Sequence, residues 1–425
     1  MPFSALGLAP ALARAVQQRG YTQPTPVQLA AIPAILQGRD LQMQARTGSG
    51  KTAAFVLPLL QQWLDGTPRA PRPLRGLVLV PTRELAMQAG QTLRELAHEL
   101  PGLVKVAVAF GGVSINPQMM GLRGGADIMV ATPGRLLDLV RHNAVHLDQL
   151  NCLVLDEADR LLDLGFSDEL NEVLALLPRQ HQTVLCSATF PPPVKALAAA
   201  LLHEPELVDL ASAAAARPDI RQRAIAVDAD RRLVLLRQLI KNAGNDRALV
   251  FVATKYATEL VADKLGRVGI QAAPFHGELS QGARTDTLAA FKRGQIQVMV
   301  ATDMAARGLH IDALPLVVNY DLPRAADDYI HRIGRTGRAG GVGDAISFII
   351  PSAEVHFRLI EKRQGLRVPR EVVAGFEPTA NADASTPTGP GTGLDPNGGV
   401  KGTRKSKKDK LREAAAEAAR KPARR

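Results

Sequence analysis

The sequence predicts an α/β protein of two tandem units, each a mostly parallel sheet flanked by helices, followed by a basic tail. Three observations predict this. Short runs apolar on both faces alternate with longer helical patterns, as expected of buried parallel strands. The rhythm occurs twice, on either side of a stretch without apolar periodicity that ends in Pro218. The chain has 425 residues, enough for two or three domains.

In the first unit, placed at 1–208, strands are expected at 77–80, 104–110, 128–130, 153–156 and 183–187, with an apolar run at 41–43 before them. Helices are expected at 52–63, 83–99, 134–141 and 168–177. Residues 209–218 read as a linker because they lack periodicity and end in a breaker. The second unit, 219–370, repeats the pattern with strands at 248–252, 271–275, 298–302, 317–320 and 345–350 and helices near 231–242, 255–268 and 283–292. Residues 371–425 read as a tail: 379–400 are rich in Gly, Pro, Thr, Asn and Asp, which predicts disorder.

Composition narrows the class. Hydrophobic residues make up 46% and charged residues 22%, which excludes a disordered chain, a disulfide scaffold and a collagen-like repeat. The formal net charge of +11 points toward polyanions, nucleic acid first. Residues 401–425 hold eleven Lys and Arg against three acids, so the tail carries +8 and the other 400 residues only +3. Cys152 and Cys186 sit in apolar runs without CxxC spacing or nearby His, so they read as core thiols suited to a reducing cytoplasm. No apolar run reaches ~18 residues, so no membrane span is expected. Residues 1–16 lack a basic leader, so no signal peptide is expected either.

Two motifs carry chemistry. Ala45-Arg46-Thr47-Gly48-Ser49-Gly50-Lys51-Thr52 follows an apolar run and opens a helix, matching GxxxxGK[ST] except for Ala45 in place of the first Gly. Gly48 and Gly50 let backbone N–H groups turn around phosphate oxygens, and the helix N-terminus favours the anion. Lys51 reaches the β- and γ-phosphates and the Thr52 hydroxyl ligates Mg²⁺. A Gly-rich loop with a chance lysine is the alternative; the strand before and helix after argue against it. At the end of a buried strand stand Asp156-Glu157-Ala158-Asp159. Asp156 suits Mg²⁺ through water, and Glu157 suits orienting or deprotonating an attacking water. Alone, this cluster would also read as a solvated acidic loop.

Asp156-Glu-Ala-Asp159 spells a family name, and the chain resembles the DEAD-box ATP-dependent RNA helicases of superfamily 2, most closely the bacterial RhlE type. The resemblance covers roughly residues 1–370, with motifs in family order. Gly20-Tyr21 through Gln28 resembles the Q motif, with Phe3 as its upstream aromatic. Pro81-Thr82-Arg83-Glu84-Leu85-Ala86, Gly111-Gly112, Thr132-Pro133-Gly134-Arg135 and Ser187-Ala188-Thr189 follow. In the second half come Val250-Phe251, Gln281 with Arg284, Ala301-Thr302-Asp303 through Arg307-Gly308, and His331-Arg332-Ile333-Gly334-Arg335-Thr336-Gly337-Arg338.

The resemblance implies two tandem RecA-like domains, with ATP, Mg²⁺ and RNA bound across the cleft. It implies Tyr21 stacking on adenine and Gln28 reading its edge, Gly308 at the nucleotide, and Arg335 and Arg338 as arginine fingers. It implies RNA contacts from Arg83, Gly112, Thr132, Gly134, Arg135, Arg284 and Thr302, and coupling through Asp159, Ser187, Thr189, Arg307 and His331. Motif V departs from the family: His310 stands where Asp is usual, with Asp312 two residues on, so a weaker nucleotide grip is expected. Aromatic content of 4% argues against base stacking as the binding mode. Backbone contacts of this kind position single-stranded or short duplex RNA without reading sequence.

The expected function is ATP-dependent local unwinding of short RNA duplexes and remodelling of RNA–protein complexes by a monomer. An ATP-gated RNA clamp or annealing chaperone acting through the tail is the alternative; a DNA helicase is disfavoured by the Q motif and the acidic motif. The RhlE-type resemblance implies cytoplasmic ribosomal-precursor or RNA-decay roles and no membrane partner.

Overall fold

The computed structural model describes residues 2–45, 48–67, 70–209, 220–243, 247–306, 311, 314–337 and 343–379. The first sheet contains β1 (Leu41–Gln44), β2 (Gly76–Leu79), β3 (Val106–Ala109), β4 (Ile128–Ala131), β5 (Cys152–Leu155), β6 (Gln182–Ser187) and β7 (Glu206–Asp209). All pairings are parallel, in the order β3-β4-β2-β5-β6-β1-β7. The second sheet contains β8 (Ile220–Ala226), β9 (Ala248–Phe251), β10 (Ala272–Phe275), β11 (Val298–Ala301), β12 (Leu316–Asn319), β13 (Gly343–Ile349) and β14 (Arg370–Glu371). It is also parallel, in the order β10-β11-β9-β12-β13-β8-β14. The architecture is two tandem RecA-like domains, each a parallel seven-stranded sheet flanked by helices.

Both faces of each sheet are covered. The two-residue strand period sends Val78 and Val154 into one core of the first unit and Leu77, Leu79, Leu153 and Leu155 into the other. In the second unit Val250, Val298 and Val300 face one helical layer, while Leu249, Met299 and Ala301 face the other. Helix starts are fixed by hydroxyl caps: Thr82 Oγ1 accepts from Leu85 N at 3.3 Å, Thr254 Oγ1 from Ala257 N at 3.1 Å, and Ser280 Oγ from Ala283 N at 3.2 Å. Cys152 and Cys186 are buried on β5 and β6, and burial pushes the Cys152 thiol up to about 12. Among the described residues, no helix is long and apolar enough to cross a membrane.

Several expectations are corrected. Asp209, placed in the linker, pairs with Gln44 in β7. Strands β7, β8 and β14 were not anticipated. β7 and β14 are edge strands or nearly so, too short and too polar to show a period. β8 is interrupted by Arg221 and Arg223, which pair with Asp344 at 2.5 Å and Glu371 at 2.6 Å. The tail was placed from 371, yet residues 371–379 pack on the second unit. Phe376 is buried beneath Arg231, 5.2 Å from its guanidinium, and Thr379 N and Oγ1 both donate to Asp228 Oδ2 at 2.9 Å. One aromatic residue in a polar stretch supplies that anchor. The linker residues 210–218 and the tail residues 380–425 lie outside the described residues.

Candidate functional site

The phosphate-loop motif and the acidic motif leave the C-terminal ends of β1 and β5, which flank β6. Ligands of open α/β sheets bind at this edge. The loop ends at Gly48 and Gly50, with φ of 85° and 94°, conformations costly for any residue with a Cβ. A Cβ on Gly50 would also lie 2.6 Å from Gln28 Nε2. Lys51 opens the helix Lys51–Asp65 and is buried, and its Nζ has no hydrogen-bond partner among the described residues. A buried ammonium without a partner is costly unless an anion engages it. Ala45 is buried behind the loop, and Thr52 is partly exposed at the helix start. Arg46 and Thr47 lie outside the described residues.

Asp156 is buried, and burial pushes its carboxyl up to about 6, against the pull of Lys51 and of its hydrogen bond from Glu157 N at 2.9 Å. A cation beside Asp156 would offset that desolvation. The orphaned Lys51 ammonium, the two glycines and the desolvated Asp156 therefore fit a triphosphate with its Mg²⁺. Glu157 takes the left-handed conformation, φ 53°, rare for a residue with a side chain. It is the N-cap of the helix Ala158–Asp163 and is buried.

Asp159 lies in a closed polar network. Its Oδ2 accepts from Thr189 N at 3.0 Å and Thr189 Oγ1 at 2.8 Å. Its own N donates to Ser187 Oγ at 3.3 Å, which donates in turn to Thr189 O at 2.7 Å. The sequence-singled residues Asp159, Ser187 and Thr189 thus touch one another, although 28 and 30 positions separate them.

The Q-motif residues divide. Tyr21 is exposed, whereas Phe3 is buried in the first core. Gln28 is buried; its Oε1 accepts from Thr25 N at 2.9 Å and its Nε2 donates to Gly50 O at 3.1 Å. Its amide ties the start of the helix Pro26–Leu36 to the phosphate loop.

The residues singled out for RNA also divide. Gly112 has φ 73°, and a Cβ there would overlap the Arg83 guanidinium. Thr132 N donates to Ala109 O at 3.0 Å, and Gly134 is open to its surroundings. Thr302 follows β11, its N donating to Phe275 O at 3.3 Å. Arg135 is buried; its Nη2 donates to Val113 O at 2.7 Å, anchoring the loop that carries Gly111 and Gly112, while its Nε and Nη1 have no hydrogen-bond partner among the described residues. Arg83 and Arg284 are engaged across the seam between the units. Arg83 Nη1 donates to Gln281 Oε1 at 3.3 Å, and Arg284 Nη2 lies 2.8 Å from Glu84 Oε1. Arg335 and His331 line a small seam cavity with Arg160 of the first unit. Arg307, Gly308, His310, Asp312 and Arg338 lie outside the described residues.

Sequence reasoning missed the role of Arg332. It is fully buried, donating from Nε and Nη2 to Asp303 at 2.5 and 2.6 Å and from Nη1 to Asn319 Oδ1 at 3.1 Å and Asp321 O at 2.5 Å. Its guanidinium also stacks 4.8 Å from the Phe251 ring. Nothing local in the sequence signals this role, because the partners Asp303, Asn319 and Asp321 stand 29, 13 and 11 positions away in the chain. A separate cleft of about 1050 Å³ lies elsewhere, between the segments leading into β2, β4 and β5.

The comparisons agree with this geometry. Residues 25–197 match the DEAD/DEAH box helicase family and residues 231–340 the helicase conserved C-terminal domain. The ATP-dependent RNA helicase DeaD of Escherichia coli is 41% identical over 367 residues, 86% of this chain; the chain spans 58% of that relative's length. The DEAD-box ATP-dependent RNA helicase CshA of Bacillus cereus is 38% identical over 368 residues, covering 87% of this chain and 69% of the relative. Saccharomyces cerevisiae Dbp5 bound to RNA and ADP BeF3 superposes with a TM-score of 0.78 at 31% identity, covering 87% of this chain and 95% of that one. With two parallel-sheet units, ordered motifs at their edges and relatives at this level of identity, the chain belongs to the DEAD-box family of ATP-dependent RNA helicases.

Proposed function

We propose that this chain is an RNA-stimulated ATPase that locally unwinds short RNA duplexes and remodels RNA–protein complexes. The observation that carries the reading is the unengaged, buried Lys51 ammonium, which acts on the desolvated Asp156 at the sheet edge, with Asp159 of the same acidic motif bonded to Ser187 and Thr189. Lys51 and the backbone of the loop bind the phosphates of ATP, Tyr21 stacks on the base, and Gln28 reports base occupancy to the loop through Gly50. Thr52 and Asp156 hold Mg²⁺, which when bound neutralises charge on the phosphates. Glu157 orients the attacking water and takes its proton. Arg335 and Arg338 stabilise the charge on the transferring phosphoryl group from the second unit.

RNA joins the same seam. Gly112, Thr132, Gly134 and Thr302 offer backbone and hydroxyl groups to a strand, with Arg135 acting through the loop it anchors. Arg83 and Arg284 hold the two units together as well as facing the strand. Closure around ATP lowers the ordering cost of binding RNA, and the reverse, so the two ligands are coupled. Likeness to an RNA-bound relative supports reading the observed arrangement as the engaged one. The finer assignment to the RhlE type, a monomeric state, a cytoplasmic setting and ribosomal-precursor or RNA-decay targets belong to this proposal, and rest on the sequence resemblance.

The test is ATP hydrolysis with no nucleic acid, with single-stranded RNA and with single-stranded DNA. Stimulation by RNA alone is expected. Equal stimulation by RNA and DNA would overturn the RNA assignment. Deleting residues 380–425 should leave the core ATPase intact; losing most activity would favour a tail-driven annealer.

A further inference from the structure

Arg160 directly follows Asp159 in the helix Ala158–Asp163. It is 4% exposed. Its Nε lies 3.4 Å from Glu157 Oε2, within ion-pair distance, and both side chains are nearly inaccessible. Among the described residues, neither Glu157 Oε2 nor Arg160 Nη1 has a hydrogen-bond partner. Two buried charges that are only partly satisfied are costly unless they serve a ligand or a moving part.

The far side of Arg160 faces the other unit. A cavity of about 10 Å³ is lined by Arg160 from the first unit and, from the second, by Asp303, Asp328, His331, Arg332 and Arg335 among others. On that far wall the Asp303 carboxylate is already paired with Arg332, so Arg160 meets the second unit as a cavity-lining side chain. One side chain therefore touches Glu157 and the interface that forms when the units meet. The geometry suits a rigid strut: three residues along one helical turn place Arg160 beside Glu157, and the same planar side chain lines the cavity at the second unit.

We infer that Arg160 is a positioning residue for the hydrolytic step, holding the Glu157 carboxylate in its left-handed turn when the seam to the second unit is formed. The inference rests on the ATPase reading proposed above. Arg160 lies outside the phosphate loop, so its loss should spare nucleotide binding. It acts where RNA-driven closure would be felt, so its loss should lower the rate of the closed state.

The experiment uses the full chain with Arg160→Gln, Arg160→Lys and Asp328→Asn. It measures kcat and KM for ATP with and without single-stranded RNA, RNA affinity in the presence of a non-hydrolysable ATP analogue, and Tm. Arg160→Gln is expected to lower RNA-stimulated kcat about 10²-fold while KM stays within about twofold, the pattern of a misplaced catalytic group. RNA affinity with the analogue should not change. Arg160→Lys keeps the charge and should recover about tenfold of the loss. Asp328→Asn, on the opposite wall of the same cavity, should lower RNA-stimulated kcat about fivefold and spare RNA-free hydrolysis, as an effect exerted only across the seam requires.

Wild-type kcat in Arg160→Gln would overturn the inference, as would a loss of rate that tracks an equal loss of RNA affinity. If Arg160→Gln does not fold, unchanged stimulation in both other variants overturns it. Absence of RNA-stimulated hydrolysis in the wild-type chain would overturn both this inference and the ATPase reading, an outcome distinct from a wild-type rate in Arg160→Gln.

Discussion

In the first unit Lys51 is buried with its ammonium unengaged, whereas in the second Arg332 is buried with its guanidinium shared among Asp303, Asn319, the Asp321 carbonyl and the Phe251 ring. Both are cations at the carboxyl edge of a parallel sheet, and both belong to motifs that the family places at its functional cleft. Their satisfaction differs. The first unit stores unmet polar capacity, in Lys51, in the desolvated Asp156 and in the strained Glu157. In the second, Arg332 is completed by Asp303 and Arg370 by Glu354 and Glu361, and unmet capacity falls at other side chains, His276 and Arg284 Nε among them. Unmet capacity marks where a ligand fits; completed capacity marks scaffold.

The sharpest test lies at Glu157. Glu157→Gln removes a general base without removing volume, and turnover should fall about 10²–10⁴-fold. ATP-dependent RNA binding should persist in that variant, read by fluorescence anisotropy; normal turnover would remove Glu157 from its role. Next comes the scaffold arginine. Arg332→Leu leaves the half-buried Asp303 and the buried Asn319 without their partner and should cost about 1–3 kcal/mol of unfolding free energy, seen in denaturant titration. A change within experimental error would break the contrast drawn here.

Lys51→Gln should show the reverse pattern. Hydrolysis should drop about 10²–10³-fold, as for loss of one charge-stabilising donor. The Tm should hold or rise, because an unpaired buried charge has been removed. A marked fall in Tm would mean that Lys51 is structural.

The smallest effect concerns pH. Hydrogen bonds from Arg370 hold Glu354 and Glu361 below their ordinary value of 4.5. A depressed native value means that the pairing stabilises the fold at neutral pH and is lost as the pH falls below 4.5 through the native value. Arg370 and Glu354 are partly open to solvent, so the contribution should stay under about 1 kcal/mol. Thermal melts from pH 7 to 3 should show a steeper acid loss in the parent than in Arg370→Ala; identical slopes would remove the pair from the stabilising set.

Much of the first site was legible because its chemistry is local. Gly48, Gly50, Lys51 and Thr52 are contiguous, and strand, loop and helix follow from composition alone. The acidic motif was legible for the same reason, being the end of an apolar run. The meeting of Asp159 with Ser187 and Thr189 was carried by family resemblance, since no spacing rule joins positions 28 and 30 apart. Arg135 shows the limit: the sequence marks it only as a basic residue of its motif, and the fold shows that one of its nitrogens anchors the loop at Val113. Edge strands β7 and β14 and the Phe376 anchor were missed because each is stabilised by partners distant in the chain.

By itself the sequence determined the two-unit α/β rhythm, the phosphate loop, the acidic strand end and the basic tail. These depend on periodicity and on residues adjacent in the chain. Only the tertiary structure decided which charges are satisfied. Lys51 and Arg332 look alike as letters, and burial together with the partners brought by other strands separates a cation held for a ligand from one holding the fold.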